Sequence, residues 1–210
     1  MTATPAFKES INVFENDWHT DILEDDIHFS FSNCLLNFYS SYPQTSFPVY
    51  AKATPDKCFS NTLLQSLSGK IKGLNQVEAL GQILKMMHND FAYKTDTEQF
   101  GYEKVFFCEE NFQYSYNDCE DRAILFSFIV RSLLGLDVIL LEYSNHVNCA
   151  VAVDGVDKGM YVNLHGRKFY VCDPAYIGAS IGMSPKPADV KPDKIQQTTP
   201  DVKPDKIWVL

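Results

Sequence analysis

The order of helical and strand-like patterns along this chain predicts an α+β fold with a largely antiparallel sheet. Two observations carry that reading. Helical periodicity dominates between about residues 61 and 134, and after Gly135 strand candidates follow one another without an intervening helix. Runs of helices followed by runs of strands point away from alternating βαβ units. At 210 residues and 45% hydrophobic content the chain can bury one sizeable core.

The first 70 residues carry the weakest patterns. Asp17 to Asp26 is acidic and partly amphipathic, and Ile27 to Ser32 alternates with period two, as a half-buried strand does. Asn37 to Pro48, rich in Ser, Tyr and Pro, is expected to be loop, with a short strand at Val49 to Ala51 and a helix over Asn61 to Ile71. The next element is plain. Asn75 followed by Glu78 forms a capping box, and Val77, Leu80, Ile83, Leu84 and Met87 share one helical face ending near Asn89–Asp90. Asp118 with Asp121 repeats the capping pattern. The segment to Leu134 is apolar around most of its circumference, so a central buried helix is expected there, stopped by Gly135. Strands are expected at Val138–Tyr143, His146–Val153, Met160–Leu164 and Lys168–Cys172, separated by Ser144-Asn145, Asp154-Gly155 and His165-Gly166. The tail repeats itself: Asp189-Val-Lys-Pro-Asp-Lys-Ile195 recurs at 201–207, and 185–205 is expected to be extended or mobile. Three parts follow: residues 1–74 packing on the core, a core at 75–184, and the tail at 185–210.

Composition excludes several function classes. A formal net charge of −9 with no basic run argues against nucleic acid or an anionic membrane as partner. No stretch approaches the ~18 apolar residues of a membrane span. Cys34, Cys58, Cys108, Cys119, Cys149 and Cys172 form no CxxC pair, which suits mostly buried free thiols better than a disulfide framework. No signal peptide is visible. As a complete chain this predicts the cytoplasm; as part of an exported protein, the periplasm or beyond.

The chemistry centres on Cys119, directly after the expected cap Asp118. A helix N-terminus offers unpaired N–H groups and a dipole that favour a thiolate and, later, an oxyanion. Asp118, Glu120 and Asp121 oppose that by raising the thiol's pKa, and Arg122 offsets part of it. His146 opens a strand after a turn, and Asp173 closes another before Pro174. Cys119 as nucleophile, His146 as general base and acid, and Asp173 as orienting carboxylate form a workable triad. There is a geometric condition: the His146 strand must pair with Lys168–Cys172, leaving Met160–Leu164 as an excursion. Tyr114, Tyr116 and Asn117 are upstream candidates for a second oxyanion donor, with Tyr116 and Asn117 preferred. By alternation Cys149 points away from His146 and Cys172 away from Asp173, which places both in the core and removes a His146–Cys149 zinc pair.

The blocks Asp118-Cys119-Glu120-Asp121-Arg122-Ala123, His146-Val147 and Cys172-Asp173-Pro174-Ala175-Tyr176 resemble the three signature blocks of transglutaminase-like domains, over roughly residues 75–182. That resemblance implies a papain-like core, an acyl-thioenzyme intermediate, a peptide or protein substrate and no required metal or cofactor. The interval of 27 residues from His146 to Asp173 exceeds the family's usual one, placing an insertion near Gly155–Gly166. The resulting expectation is a thiol hydrolase of peptide or isopeptide amides. The alternatives are an amine-accepting transamidase and a non-catalytic accessory domain that binds a protein through its N-terminal segment or tail.

Overall fold

A computed structural model describes residues 13–20, 25–186 and 190–199. The N-terminal part opens with a hairpin of β1 (Val13–Thr20) and β2 (Asp25–Ser32), paired antiparallel with Trp18 opposite Ile27 and Phe14 opposite Phe31. Alternation buries Ile27, Phe29 and Phe31, as expected of a strand with one face in the core. Helices α1 (Asn33–Ser41), α2 (Phe47–Lys52) and α3 (Lys57–Ile71) follow.

Two expectations fail here. Asn37–Pro48 is not all loop, because α1 runs through Ser41 and buries Leu36 and Tyr39. Val49–Ala51 is helical rather than a strand: Pro48 sits in the first turn of α2, where its missing N–H costs nothing, and Tyr50 and Ala51 are buried. Helix α3 starts four residues before Asn61, because the Asp56 carboxylate accepts the Cys58 and Phe59 N–H groups at 2.8 and 3.1 Å.

Helix α4 (Gln76–Asn89) carries the expected capping box, with Asn75 Oδ1 accepting from Glu78 N at 3.0 Å and Glu78 Oε2 from Asn75 N at 3.1 Å. Two short strands, β3 (Ala92–Tyr93) and β4 (Tyr116–Asn117), pair in parallel, with the short helix α5 (Asp96–Gln99) and a 3-10 turn at Cys108–Phe112 between them. Helix α6 (Cys119–Leu134) is buried on nearly every side and ends on Gly135 in the left-handed region, φ +65°.

Strands β5 (Val138–Tyr143), β6 (His146–Val151), β7 (Tyr161–Leu164), β8 (Arg167–Cys172) and β9 (Lys194–Gln197) make one antiparallel sheet in the order β7-β8-β6-β5-β9. β6 pairs with β8, and β7 lies outside β8 as the excursion the triad requires. Strand β9 comes from the tail, where the sequence led only to extended or mobile chain; the second copy of the repeat lies outside the described residues. A single apolar cluster runs from Trp18 and Phe29 through Leu64, Leu80 and Ile124 to Leu140 and Cys172, so the N-terminal helices, α6 and one sheet face share a core. The opposite sheet face carries a second cluster, Ile139, Leu141, Ala150, Ala152, Phe169 and Val171. Among the described residues no helix is long and apolar enough to cross a membrane.

The loop after β8 is held against the start of β7 by a backbone crossing. Gly182 N–H donates to Val171 O at 2.7 Å and Met160 N–H to Gly182 O at 2.8 Å. A Cβ on Gly182 would lie 2.5 Å from Gly159 Cα, so both positions need glycine.

Candidate active site

Cys119 is the first residue of α6 and is 8% exposed. Its thiol donates to Glu120 Oε2 at 3.0 Å, and the Val147 N–H donates to its sulfur. The sulfur therefore lies against the first residues of β6, one position from His146. Burial pushes the thiol pKa well up, the Glu120 carboxylate pushes it further and Asp118 adds to that; the Val147 N–H and the Arg122 guanidinium pull the other way. The acidic flanks act in the direction expected from sequence.

His146 Nε2 lies 2.7 Å from Asp173 Oδ2. The β6–β8 register, Cys149 opposite Cys172, is what sets the beginning of one strand beside the end of the other. With Nε2–H directed at a carboxylate, Nδ1 is the ring nitrogen left to accept a proton. Asp173 is fully buried and closely held. Its Oδ1 accepts from the Ala175 and Tyr176 N–H groups at 3.1 Å each, and Oδ2 also accepts from Asn148 Nδ2 at 3.2 Å. Its main-chain carbonyl accepts from His88 Nε2 at 2.8 Å, a bond reaching across from α4. The structure thus brings Cys119, His146 and Asp173 to one place. Cys149 and Cys172 are fully buried, and the Cys149 thiol donates to Ala123 O under α6.

The upstream oxyanion candidates fare differently. Asn117 Nδ2 donates to Asn111 Oδ1 at 2.8 Å and its Oδ1 accepts from Arg122 Nε at 2.8 Å, so this amide is committed to bracing Arg122. Arg122, fully buried, also donates to the Met87 and Phe91 carbonyls. Tyr116 is exposed, with Lys94 over its ring, and Tyr114 packs on Phe100 and Phe106. The tyrosine whose hydroxyl shares surroundings with the thiol is Tyr93, opposite Asn117 in the β3–β4 pair. The residue as a whole is exposed, like Tyr116, but desolvation of its hydroxyl first and Cys119 next raise its pKa, and its ring lies 5.3 Å from the Arg122 guanidinium carbon. Nothing in the sequence singles out Tyr93 or His88. Asn148 was missed as well, although it shares the His146 face two residues on and strand alternation could have found it.

The carboxylates around the thiol form a buried set. Asp96, Asp118 and Asp121 offer oxygens all within 4.8 Å of one another, as do the ligand atoms of Asp118, Cys119 and Glu120. Asp118 Oδ1 is buried without a hydrogen-bond partner. Asp121 is better satisfied, accepting from Phe106 N at 2.8 Å, and Asp96 Oδ2 accepts from Lys104 N at 2.6 Å. Burial drives the Asp118 carboxyl up to about 8, helped by Glu120, and the Asp96 carboxyl to about 7; Asp121 moves the same way. Opposed oxygens around a calcium ion at 2.3–2.6 Å stand about 5 Å apart. Asp96, Asp118 and Asp121 are therefore one set of residues with the spacing and hardness to hold a divalent cation, and Asp96, Glu103 and Glu120 are another.

Compared with family models, curated proteins and solved structures, the chain finds no match in any of the three.

Proposed function

We propose that the protein is a thiol-dependent hydrolase of peptide or isopeptide amides, working through an acyl-thioenzyme on a transglutaminase-like core of papain type. The observation that carries this reading is the His146–Asp173 bond of 2.7 Å formed beside a cysteine at a helix N-terminus.

His146 Nδ1 takes the Cys119 proton, and the thiolate attacks the amide carbonyl carbon. The carbonyl oxygen becomes an oxyanion facing the unpaired N–H groups of the first turn of α6, with the Tyr93 hydroxyl as a second donor. The C–N bond breaks as His146 returns the proton to the leaving amine. Water, deprotonated by the same imidazole, then hydrolyses the thioester and restores the thiol. Asp173 holds the ring through Nε2–H and leaves Nδ1 as the nitrogen that accepts the proton.

One observation favours a second reading, a non-catalytic binding domain: the thiol is buried and donates its hydrogen bond to Glu120. The deciding experiment is alkylation of Cys119 by iodoacetamide against pH, followed by peptide mass spectrometry, in wild type and His146→Ala. Modification that sets in below the free-thiol pKa of about 8.5, and slows in the variant, supports the hydrolase. Slow modification with the same profile in both supports the binding domain.

A further inference from the structure

Glu120 joins the candidate nucleophile to a row of carboxylates that reaches solvent. Its Oε2 accepts from the Cys119 thiol at 3.0 Å. Oxygens of Glu120, Asp96 and Glu103 lie within 4.8 Å of one another, and so do oxygens of Glu120 and Asp118 with the Cys119 sulfur. Glu103 is exposed, whereas Asp96, Asp118 and Glu120 are buried. The row thus runs from the surface at Glu103 to the sulfur. At the inner end its hydrogen bonding is incomplete. Asp118, a member of the set that includes the sulfur, is 6% exposed, and its Oδ1 is buried without a partner. An uncompensated buried acceptor beside a reacting thiol calls for a donor that the ligand brings.

The covalent geometry of a peptide says which donor reaches it. An amide carbonyl carbon in attack position stands about 3–3.5 Å from the sulfur. The main-chain nitrogen of the residue that owns this carbonyl lies two bonds away, about 2.5 Å from the carbon. A charge-assisted N–H···O bond adds about 2.8 Å. Together with the 3.0 Å between sulfur and Glu120 Oε2, these separations close a ring from sulfur to carbonyl carbon, α-nitrogen and carboxylate. Inside a peptide chain that nitrogen is an amide with one N–H. At the start of a chain it is an ammonium with three, enough for Glu120 and Asp118 together, and it brings the positive charge they lack. A lysine ammonium, at the end of a four-carbon stem, overshoots Glu120 when its own carbonyl is at the sulfur.

We infer that Glu120, backed by Asp118, recognises a free α-ammonium group, so that the protein is an aminopeptidase that removes the first residue of a peptide. This rests on the hydrolase reading above. His146 Nδ1 takes the thiol proton, which leaves Glu120 Oε2 to accept from the ammonium instead. The sulfur bonds the carbonyl carbon of the first residue, the C–N bond to the second residue breaks, and His146 gives its proton to the leaving amine. Water then cleaves the thioester, its proton passing through His146 to the sulfur, and a free amino acid leaves. Glu103 and Asp96 draw the charged chain end toward the thiol.

The test is cleavage, by the full chain, of a peptide library with every residue at the first position, in free and N-acetylated forms. It is run at pH 7, where an α-amine with a pKa of about 7.7–8.0 is mostly protonated, once with chelator and once with calcium. Mass spectrometry reads the rate and the bond cut. Free peptides are expected to lose their first residue about thirtyfold or more faster than the acetylated forms are cut anywhere. Glu120→Gln should shrink that ratio about tenfold, with Cys119 alkylation at the wild-type rate or faster showing that the thiol is intact. Equal cutting of both forms, a preference that follows lysine instead of the free amine, or a ratio unchanged in Glu120→Gln overturns the inference and leaves the hydrolase standing. Cutting that needs calcium and ignores the free amine does the same and assigns the carboxylates to the metal. No cutting of either form, with chelator or with calcium, overturns the hydrolase reading and the inference together.

Discussion

Replacing Glu120 with Gln isolates the charge that opposes thiolate formation. The thiol now donates to Glu120 Oε2 at 3.0 Å, and burial and this carboxylate are the two largest causes of its raised pKa. Two unit charges 4 Å apart interact by about 4 kcal/mol at an effective dielectric of 20. Gln keeps an acceptor for the neutral thiol, and the thiolate remains poorly solvated, so part of that is not recovered. A net gain of about 1.5–2 kcal/mol corresponds to a tenfold to thirtyfold rise in thiolate at fixed pH. Below the thiol pKa, alkylation follows thiolate fraction. The expected outcome is therefore a tenfold to thirtyfold faster iodoacetamide reaction at Cys119, measured by peptide mass spectrometry at pH 7.5 in a chelating buffer. Cys34 and Cys58, both exposed, serve as controls whose rates should not move. An unchanged Cys119 rate with steady controls would refute the electrostatic argument and leave burial alone responsible.

Asp173→Ala strips four donors of their acceptor (His146, Asn148 and the Ala175 and Tyr176 amides) and should lower stability by about 2–4 kcal/mol in urea unfolding; a loss under 1 kcal/mol contradicts the bonding described. Gly182→Ala places a Cβ 2.5 Å from Gly159 Cα at φ +83° and should cost about 2 kcal/mol or more by the same measurement. Stability should also fall with rising pH. Asp118 at about 8 and Asp96 at about 7 keep their protons in the folded protein above the ordinary 3.8, so the unfolded state releases protons first. Their stabilisation is complete below about pH 4 and lost as pH rises through 7 to 8, with a slope of up to about 1.4 kcal/mol per pH unit for each group. Urea midpoints from pH 5 to 8.5 with chelator present test this, and Asp118→Asn should flatten the curve.

Legibility in the sequence followed the strength of local signals. The capping box at Asn75 and Glu78 and the Gly135 stop marked α4 and α6 closely, because each is a backbone requirement met by a side chain nearby in sequence. The β6–β8 pairing was reached by working backwards from chemistry, since His146 and Asp173 can meet only if those strands are neighbours. The elements misread lie where tertiary burial decides. Asn33–Ser41 is a helix because Leu36 and Tyr39 meet a core made partly of residues far along the chain; Tyr39 stacks on Phe107 and its hydroxyl donates to Glu109. His88 escaped notice for the same reason, its acceptor being a main-chain carbonyl 85 residues away. Tyr116 and Asn117 were chosen for closeness in sequence to Cys119, whereas strand pairing brings Tyr93 there from further off. A polar, Pro-containing tail gave no sign of β9, whose order comes from an edge supplied by β5.

The carboxylates around Cys119 join stability to reactivity. Asp96, Asp118, Glu120 and Asp121 are all buried beside one another, and the nearest buried guanidinium, Arg122, spends its hydrogen bonds on Asn117 and two carbonyls. A core with no other purpose would not hold such a set, since each ionised carboxylate left without a counter-charge is strongly destabilising. Glu120 opposes ionisation of Asp118 and Asp121 as well as of the thiol, so relief of one is relief of the other. Glu120→Gln should therefore raise the urea midpoint at pH 8 while it speeds alkylation. Faster alkylation with a lower midpoint would mean that local opening, not charge, had released the thiol, and α6 amide exchange would separate the two.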